Sequence, residues 1–364
     1  MTEASAAFKT DSKECKQIKC VVWDLDDTLW QGTLLEGDDL VVTDLVRHTI
    51  VELDCRGVLQ SIASKNDPAV AWDKLTALGL DEYFLYPQIN WGNKSDSLRT
   101  IAEKLSIGLE SLALVDDQPF ERDEVCFHLS GVTVIDAAQL GGLLDMPALH
   151  PRTLTSESKQ RRRMYQADIR RKDDEVKFDG ARSQFLATLR MVVTLRRATE
   201  EDLWRAEELT TRTNQLNSTG RTYSREELHD LLQSEEHTLL IAELEDRYGS
   251  SGTVGLGLIE RGSASWLLKL LIVSCRVVSR GVGSIMLTHI LKSAARCGVR
   301  LQAEFVDTQR NRMMYITYKF GGFYEVGQRD AVTLLEHALG EIRPFPPHVT
   351  VDSTDQLGAP HTAE

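Results

Sequence analysis

The sequence lacks any cysteine pattern. Its six cysteines, Cys15, Cys20, Cys55, Cys126, Cys275 and Cys297, fall at no metal-ligand spacing, so the expectation is reduced thiols in a cytoplasmic protein. The N-terminus has no basic-then-apolar leader. The longest apolar stretches, such as "WLLKLLIV", are interrupted and fall well short of the roughly 18 residues a membrane span needs. A soluble protein without a membrane partner is expected. Positive charge is also scarce: 42 Lys and Arg stand against 55 Asp and Glu, for a net charge of -13. That balance argues against general affinity for nucleic-acid phosphates and predicts an acidic surface. None of the nine histidines has a spacing that singles it out, and no internal repeat is visible.

What is present fits two domains. A chain of 364 residues exceeds what one core usually serves, and its 42% hydrophobic and 27% charged content is that of an ordinary globular protein. Residues 1–17 read as a flexible tail. From 18 to 150, short apolar runs ("CVVWDL", "GVLQSIAS", "SLALVDD", "GVTVID") alternate with helical segments, which predicts a doubly wound parallel sheet of the α/β class. Residues 151–190 are dense in charge and read as a helical linker. From 191 to 345 the strands "HTLLIAELEDR", "GTVGLGLIER" and "SWLLKLLIVS" are closely spaced and followed by the helix "GSIMLTHILKSAARCG", an α+β pattern with antiparallel hairpins. Residues 346–364, rich in Pro, Ser, Thr and Asp, read as a second flexible tail.

The chemistry concentrates in "VVWDLDDTLW", where an apolar strand runs into three carboxylates in four positions. Like charges this close raise one another's pKa unless a cation sits among them. Mg2+ would resolve the conflict, because it takes oxygen ligands. Asp24 could attack phosphorus, and Asp26 could protonate the leaving oxygen and later activate water. Ser64 in "SIASKND" can hydrogen-bond a phosphoryl oxygen. Lys94 in "WGNKSDSLRTI" can neutralise phosphate and nucleophile, and Asp116 with Asp117 in "LALVDDQPF" ends another apolar run. These four motifs, in this order, resemble those of the haloacid dehalogenase superfamily. The resemblance implies Asp24 as nucleophile, Asp26 as acid/base, Thr28, Ser64 and Lys94 around the phosphate, and a metal held by Asp24, Asp26, Asp116 and Asp117. The 24-to-64 and 64-to-94 intervals leave no room for a large lid domain, so an open site is expected.

In the second half, "LLIVSCRVVSRGVGSIMLTHIL" resembles the pyrophosphate-binding turn of the GNAT acyltransferases, with Gly281 and Gly283 at the family's glycine positions and Val278 at its leading Arg or Gln. Asn311, Tyr318 and Gly322-Phe323 resemble the end of the same fold. Together, "CVVWDLDDTLWQGTLLEGD", "VDDQPFER", "TTRTNQLNSTGRTYS" and "SCRVVSRGVG" resemble the FkbH-like glyceryl transferase/phosphatases of polyketide biosynthesis, from residue 18 to about 345. That resemblance implies 1,3-bisphosphoglycerate as substrate, an acyl carrier protein as partner, loading of a glyceryl group onto its phosphopantetheine thiol, removal of the 3-phosphate, and Mg2+.

Cys275, at the end of the strand feeding the glycine loop, is the candidate acyl-accepting nucleophile, with Arg276 and Arg280 available to depress its pKa and hold phosphate. A small core residue is the alternative reading. Asn214 and Asn217 could hydrogen-bond a hydroxy acid or the pantetheine amides, or could be turn residues. The basic run "SKQRRRMYQADIRRK" could receive an acidic carrier or be a solvated linker helix. The competing function is an Mg-dependent phosphatase of a phosphoprotein or metabolite, with the second domain a non-catalytic binding module.

Overall fold

The computed structural model describes residues 17–150, 154–353 and 357. Two compact units divide after Arg162. In the first, β1 (Cys20–Trp23), α1 (Asp44–Cys55), β2 (Leu59–Ser64), α2 (Pro68–Ala77), β3 (Gln88–Ile89), α3 (Lys94–Leu105), β4 (Leu112–Asp116), α4 (Pro119–His128) and β5 (Thr133–Asp136) follow one another. The sheet order is β3-β2-β1-β4-β5, and every pair is parallel. Covered on both faces, β1, β2 and β4 are buried throughout, as parallel strands under two helical layers must be. This is the α/β arrangement expected, and no inserted domain occupies either interval among the described residues.

Register sets the level of the strand ends. Trp23 lies opposite both Ile62 and Val115, which leaves Asp24 level with Ala63, one residue before the end of β2, and with Asp116 at the end of β4. The chain order reverses at β1, and ligands in such sheets bind at the carboxyl ends beside that reversal. Local signals fix the helix starts: the Asp67 carboxylate accepts from the Ala69 and Val70 N–H groups, with Pro68 opening α2, and Pro119 opens α4.

Residues 154–190 are largely helical, and part of them packs against the rest of the chain. They form α5 (Ser156–Lys159), α6 (Arg161–Lys177) and α7 (Arg182–Thr188). Arg161 donates to the Gly57 carbonyl at 2.9 Å, and Arg162 donates to both Asp54 oxygens and to Glu82. Phe185 and Leu189 join the core of the second unit. The basic run therefore spends much of its charge internally rather than presenting it to an acidic partner.

The second unit holds β6 (Met191–Arg197), α8 (Leu203–Arg212), α9 (Arg225–Gln233), β7 (His237–Asp246), β8 (Gly249–Arg261), β9 (Ser265–Val273), α10 (Val282–Cys297), β10 (Arg300–Val306), α11 (Arg312–Phe320), β11 (Tyr324–Arg329), β12 (Val332–His337) and β13 (Val349–Ser353). Its sheet runs β11-β12-β10-β9-β8-β7-β6-β13. The β6–β7–β8–β9 pairs are antiparallel, whereas β9–β10 and β6–β13 are parallel. Part of the segment read as a C-terminal tail is thus a strand: "VTVDS" alternates outward and inward and pairs with β6 over five residues, and Leu357 is buried. Residues 354–356 and 358–364 of that tail, residues 151–153, and residues 1–16 with Cys15 lie outside the described residues.

Candidate active site

Each acidic or basic side chain at the first sheet's edge is placed by an element end. Asp24 follows β1, its N–H bonded to the Val115 carbonyl at 3.0 Å. Ser64 ends β2, Lys94 opens α3 and Asp116 ends β4. All four are buried. The Lys94 ammonium lies 2.8 Å from Asp24 and 2.8 Å from Glu121, and also pairs with Asp116. Ser64 lies near enough to the Asp24 carboxylate to favour its charged form. Asp116 in addition accepts the Gln118 N–H at 2.8 Å.

The balance of charge here is negative. Burial pushes the Asp24 carboxyl up to about 7; Lys94 pulls it down and Asp116 pushes it up again. Burial works against the Lys94 charge, yet Asp24 and Asp116 together hold it above the usual lysine range. Burial, then Asp116, raises Asp117. One ammonium therefore does not satisfy the carboxylates around it. Oxygens of Asp24, Asp116 and Asp117 all lie within 4.8 Å of one another, a hard-oxygen set suited to a divalent cation such as Mg2+. The residues fit the ion that the sequence implied.

Two expected site residues spend their side chains on other protein groups. Asp26 is not in that set: its Oδ1 accepts from Trp30 Nε1 at 2.8 Å and the Leu34 N–H at 3.1 Å, and its Oδ2 accepts from Asn66 at 3.0 Å. Those bonds orient the carboxylate and leave one lone-pair position on Oδ2 open. The Thr28 hydroxyl, expected on phosphate, donates to Asp117 Oδ1 at 3.2 Å and accepts the Asp117 N–H at 3.0 Å, so it fixes a carboxylate of the cation set.

Sequence reasoning missed Glu121 and Asn66. Glu121 is buried between Lys94 and Lys65, 2.8 Å from each. Burial opposes its charge, but these two lysines hold its carboxyl below the usual range. Its signal was position: one helical turn past Asp117, on the first turn of α4. Asn66 is fully buried and touches Asp26 from the loop after β2.

In the second unit, the loop after β9 does not present its arginines. Arg280 is 3% exposed and donates to Asp246 at 3.0 Å, Ser251 at 3.1 Å and Asp168 at 3.3 Å. Arg171 joins the same two aspartates. Bound on three sides, Arg280 cannot also hold a phosphate, which corrects that expectation. Arg276 donates to the Ser251 carbonyl at 3.4 Å. Half-buried Cys275 opens a 3-10 turn that runs to Arg280. Gly281 closes that turn at a φ of 74°, a left-handed conformation that favours glycine, and a side chain at Gly283 would meet Val273 Cγ2 at 3.4 Å.

The asparagines separate. Asn214 is exposed, whereas Asn217 is 1% exposed and serves a turn: Nδ2 donates to the Arg221 carbonyl, Oδ1 accepts from Thr219 and Gly220, and its carbonyl accepts from buried Asn311. These contacts fit the turn reading for Asn217: its Oδ1 takes two N–H groups and one Nδ2–H is spent on the turn.

Removing the cation should expose the Asp24 proton. Between about pH 4 and about pH 7 the folded protein keeps a proton there that the unfolded chain has lost. Without a cation, that contribution to stability is full at low pH and is lost as pH rises through 7. Mg2+ competes with the proton, so it should raise the unfolding temperature more at pH 8 than at pH 6. Thermal melts at both pH values, with and without Mg2+, check this; an equal or smaller shift at pH 8 contradicts it.

No protein-family model matches the chain, and no curated protein sequence does. Among solved structures, the chain is similar to the N-terminal part of the protein BF1531 from Bacteroides fragilis, which contains a phosphatase domain complexed with Mg: 29% identity over 39% of this chain and 42% of that one, TM-score 0.31. The chain thus spans about two-fifths of that structure. It is also similar to the ribosomal-protein-S18-alanine N-acetyltransferase of Escherichia coli, at 15% identity over 42% of this chain and 96% of that one, TM-score 0.33. The PaiA N-acetyltransferase of Thermoplasma acidophilum, in complex with coenzyme A, aligns at 15% identity over 40% and 98%, TM-score 0.32. No helix among the described residues is long and apolar enough to cross a membrane.

Proposed function

We propose that the first unit is a Mg2+-dependent phosphohydrolase working through an aspartyl phosphate on Asp24. The observation that carries this reading is the convergence of Asp24, Asp116 and Asp117 on one point, with Lys94 and Ser64 on the Asp24 carboxylate. Asp24, Asp116 and Asp117 would hold the cation, which when bound neutralises charge on the transferring phosphoryl group. An Asp24 oxygen attacks phosphorus and the ester P–O bond breaks. Asp26 gives its proton to the departing oxygen, then takes one from the water that attacks the phosphoenzyme. That second attack frees inorganic phosphate and restores the carboxylate.

The finer reading joins the two units. The chain would take 1,3-bisphosphoglycerate, pass the glyceryl group through a Cys275 thioester to the phosphopantetheine thiol of an acyl carrier protein, and remove the 3-phosphate. An acyl phosphate is activated enough for a thiol to attack. The buried pairing of Arg280 with Asp168 and Asp246 favours the second reading, a phosphatase whose other unit only binds, because it takes a cation away from the Cys275 turn.

Intact-mass spectrometry of a phosphopantetheinylated carrier incubated with the protein, 1,3-bisphosphoglycerate and Mg2+ separates them. A glyceryl increment that disappears with Cys275→Ala is the expected result. No increment on several validated carriers, beside brisk hydrolysis of small phosphate esters, leaves the plain phosphatase.

A further inference from the structure

A cleft of about 500 Å³ adjoins the cation set, with Thr28 and Asp117 in its wall. Its size is that of a small-molecule site. Val41, Leu45 and Leu140 give it apolar sides, and Asp27 and Asp136 bring carboxylates. Asp136 is neutralised by Arg122 at 2.6 Å, whereas Asp27 is exposed and its carboxylate accepts the Gly32 N–H at 2.9 Å. Among the described residues lining the cleft there is no Lys, Arg or His. The one buried ammonium of the site, Lys94, is not in its wall.

We infer that this cleft takes the leaving-group side of a phosphate monoester whose chain is uncharged and apolar, and that it turns away esters carrying a second anion. The inference rests on the phosphatase reading for the position of the phosphoryl group, and on the cleft itself for the rest. A carboxylate brought far enough from the cation set to lie between apolar walls and acidic side chains, with no Lys, Arg or His in the lining, loses hydration and gains repulsion. An alkyl or amide chain loses neither. For a three-carbon acid, the 3-phosphate would leave after the carboxyl has become a neutral thioester, and free 3-phosphoglycerate would be a poor substrate.

Non-hydrolysable phosphonates test the cleft without turnover. In calorimetry on the full chain with Mg2+, hexylphosphonate should bind at least about tenfold tighter than 6-phosphonohexanoate, which adds only a terminal carboxylate. Leu45→Lys, on the exposed side of α1, should lower that ratio at least about tenfold; Val41→Lys supplies the charge if the first variant fails to fold. Equal or inverted affinities in the unmodified protein, absence of binding by either phosphonate, or a ratio unmoved by the folded variant overturns the inference. Hydrolysis of acetyl phosphate is read separately: its absence, with discrimination in binding intact, counts against the phosphatase reading alone.

Discussion

Replacing Asp24 by asparagine is expected to cut phosphate release by about three orders of magnitude or more, because the shape remains but the attacking charge is gone. The fold should survive. Lys94 still faces Asp116 and Glu121, and the variant removes a carboxylate whose burial opposes its own ionisation. A urea titration should therefore give a midpoint no lower than that of the unmodified protein in the absence of Mg2+. Folded Asp24→Asn protein that released phosphate at the unmodified rate would sink the aspartyl-phosphate mechanism. On the proposed transferase reading, the same variant should leave a phosphoglyceryl increment on a carrier protein if acylation precedes dephosphorylation, and no increment if phosphate removal comes first.

Lys94→Met should have the largest effect on stability. Methionine keeps the aliphatic length and discards the ammonium that Asp24, Asp116 and Glu121 share. Removing one member of a buried ionic cluster leaves the others uncompensated, at about 3–5 kcal/mol. The deficit should be greatest at alkaline pH without Mg2+, and shrink as the pH falls and Asp24, raised further once Lys94 is gone, takes up its proton. Mg2+ should narrow it too, by supplying the missing positive charge. Urea denaturation across this pH range checks both trends; a loss below about 1 kcal/mol at pH 8 would mean that the carboxylates are satisfied without the lysine.

How much of this was legible in the sequence depends on whether the determining contact was local. Asp24, Ser64, Lys94 and Asp116 each sit where an apolar run stops or a helix starts, and a parallel sheet brings such positions to one edge. Their grouping followed from pattern alone. The fate of Arg280 did not, since its partners Asp168 and Asp246 lie 112 and 34 residues away and no periodicity links them. The same holds for Thr28, whose partner Asp117 is 89 residues distant. Asn217 was readable as a turn residue, but only the carbonyl of Arg221 and the N–H groups of Thr219 and Gly220 decide between turn and ligand. The strand β13 was hidden by composition: its alternation was present, but the Pro, Ser and Thr around it read as a tail.

That strand bears on how the second unit is made. In synthesis from the N-terminus, β6 leaves the ribosome about 160 residues before the segment that pairs with its outer side. At roughly 5–20 residues per second, its outer row of N–H and C=O groups waits on the order of 10–30 s for a partner. An unpaired strand edge is a template for any other extended chain nearby. The vulnerable interval for self-association through β6 is therefore late in translation, when seven of the sheet's eight strands can already be joined and β6 still lacks its outer neighbour.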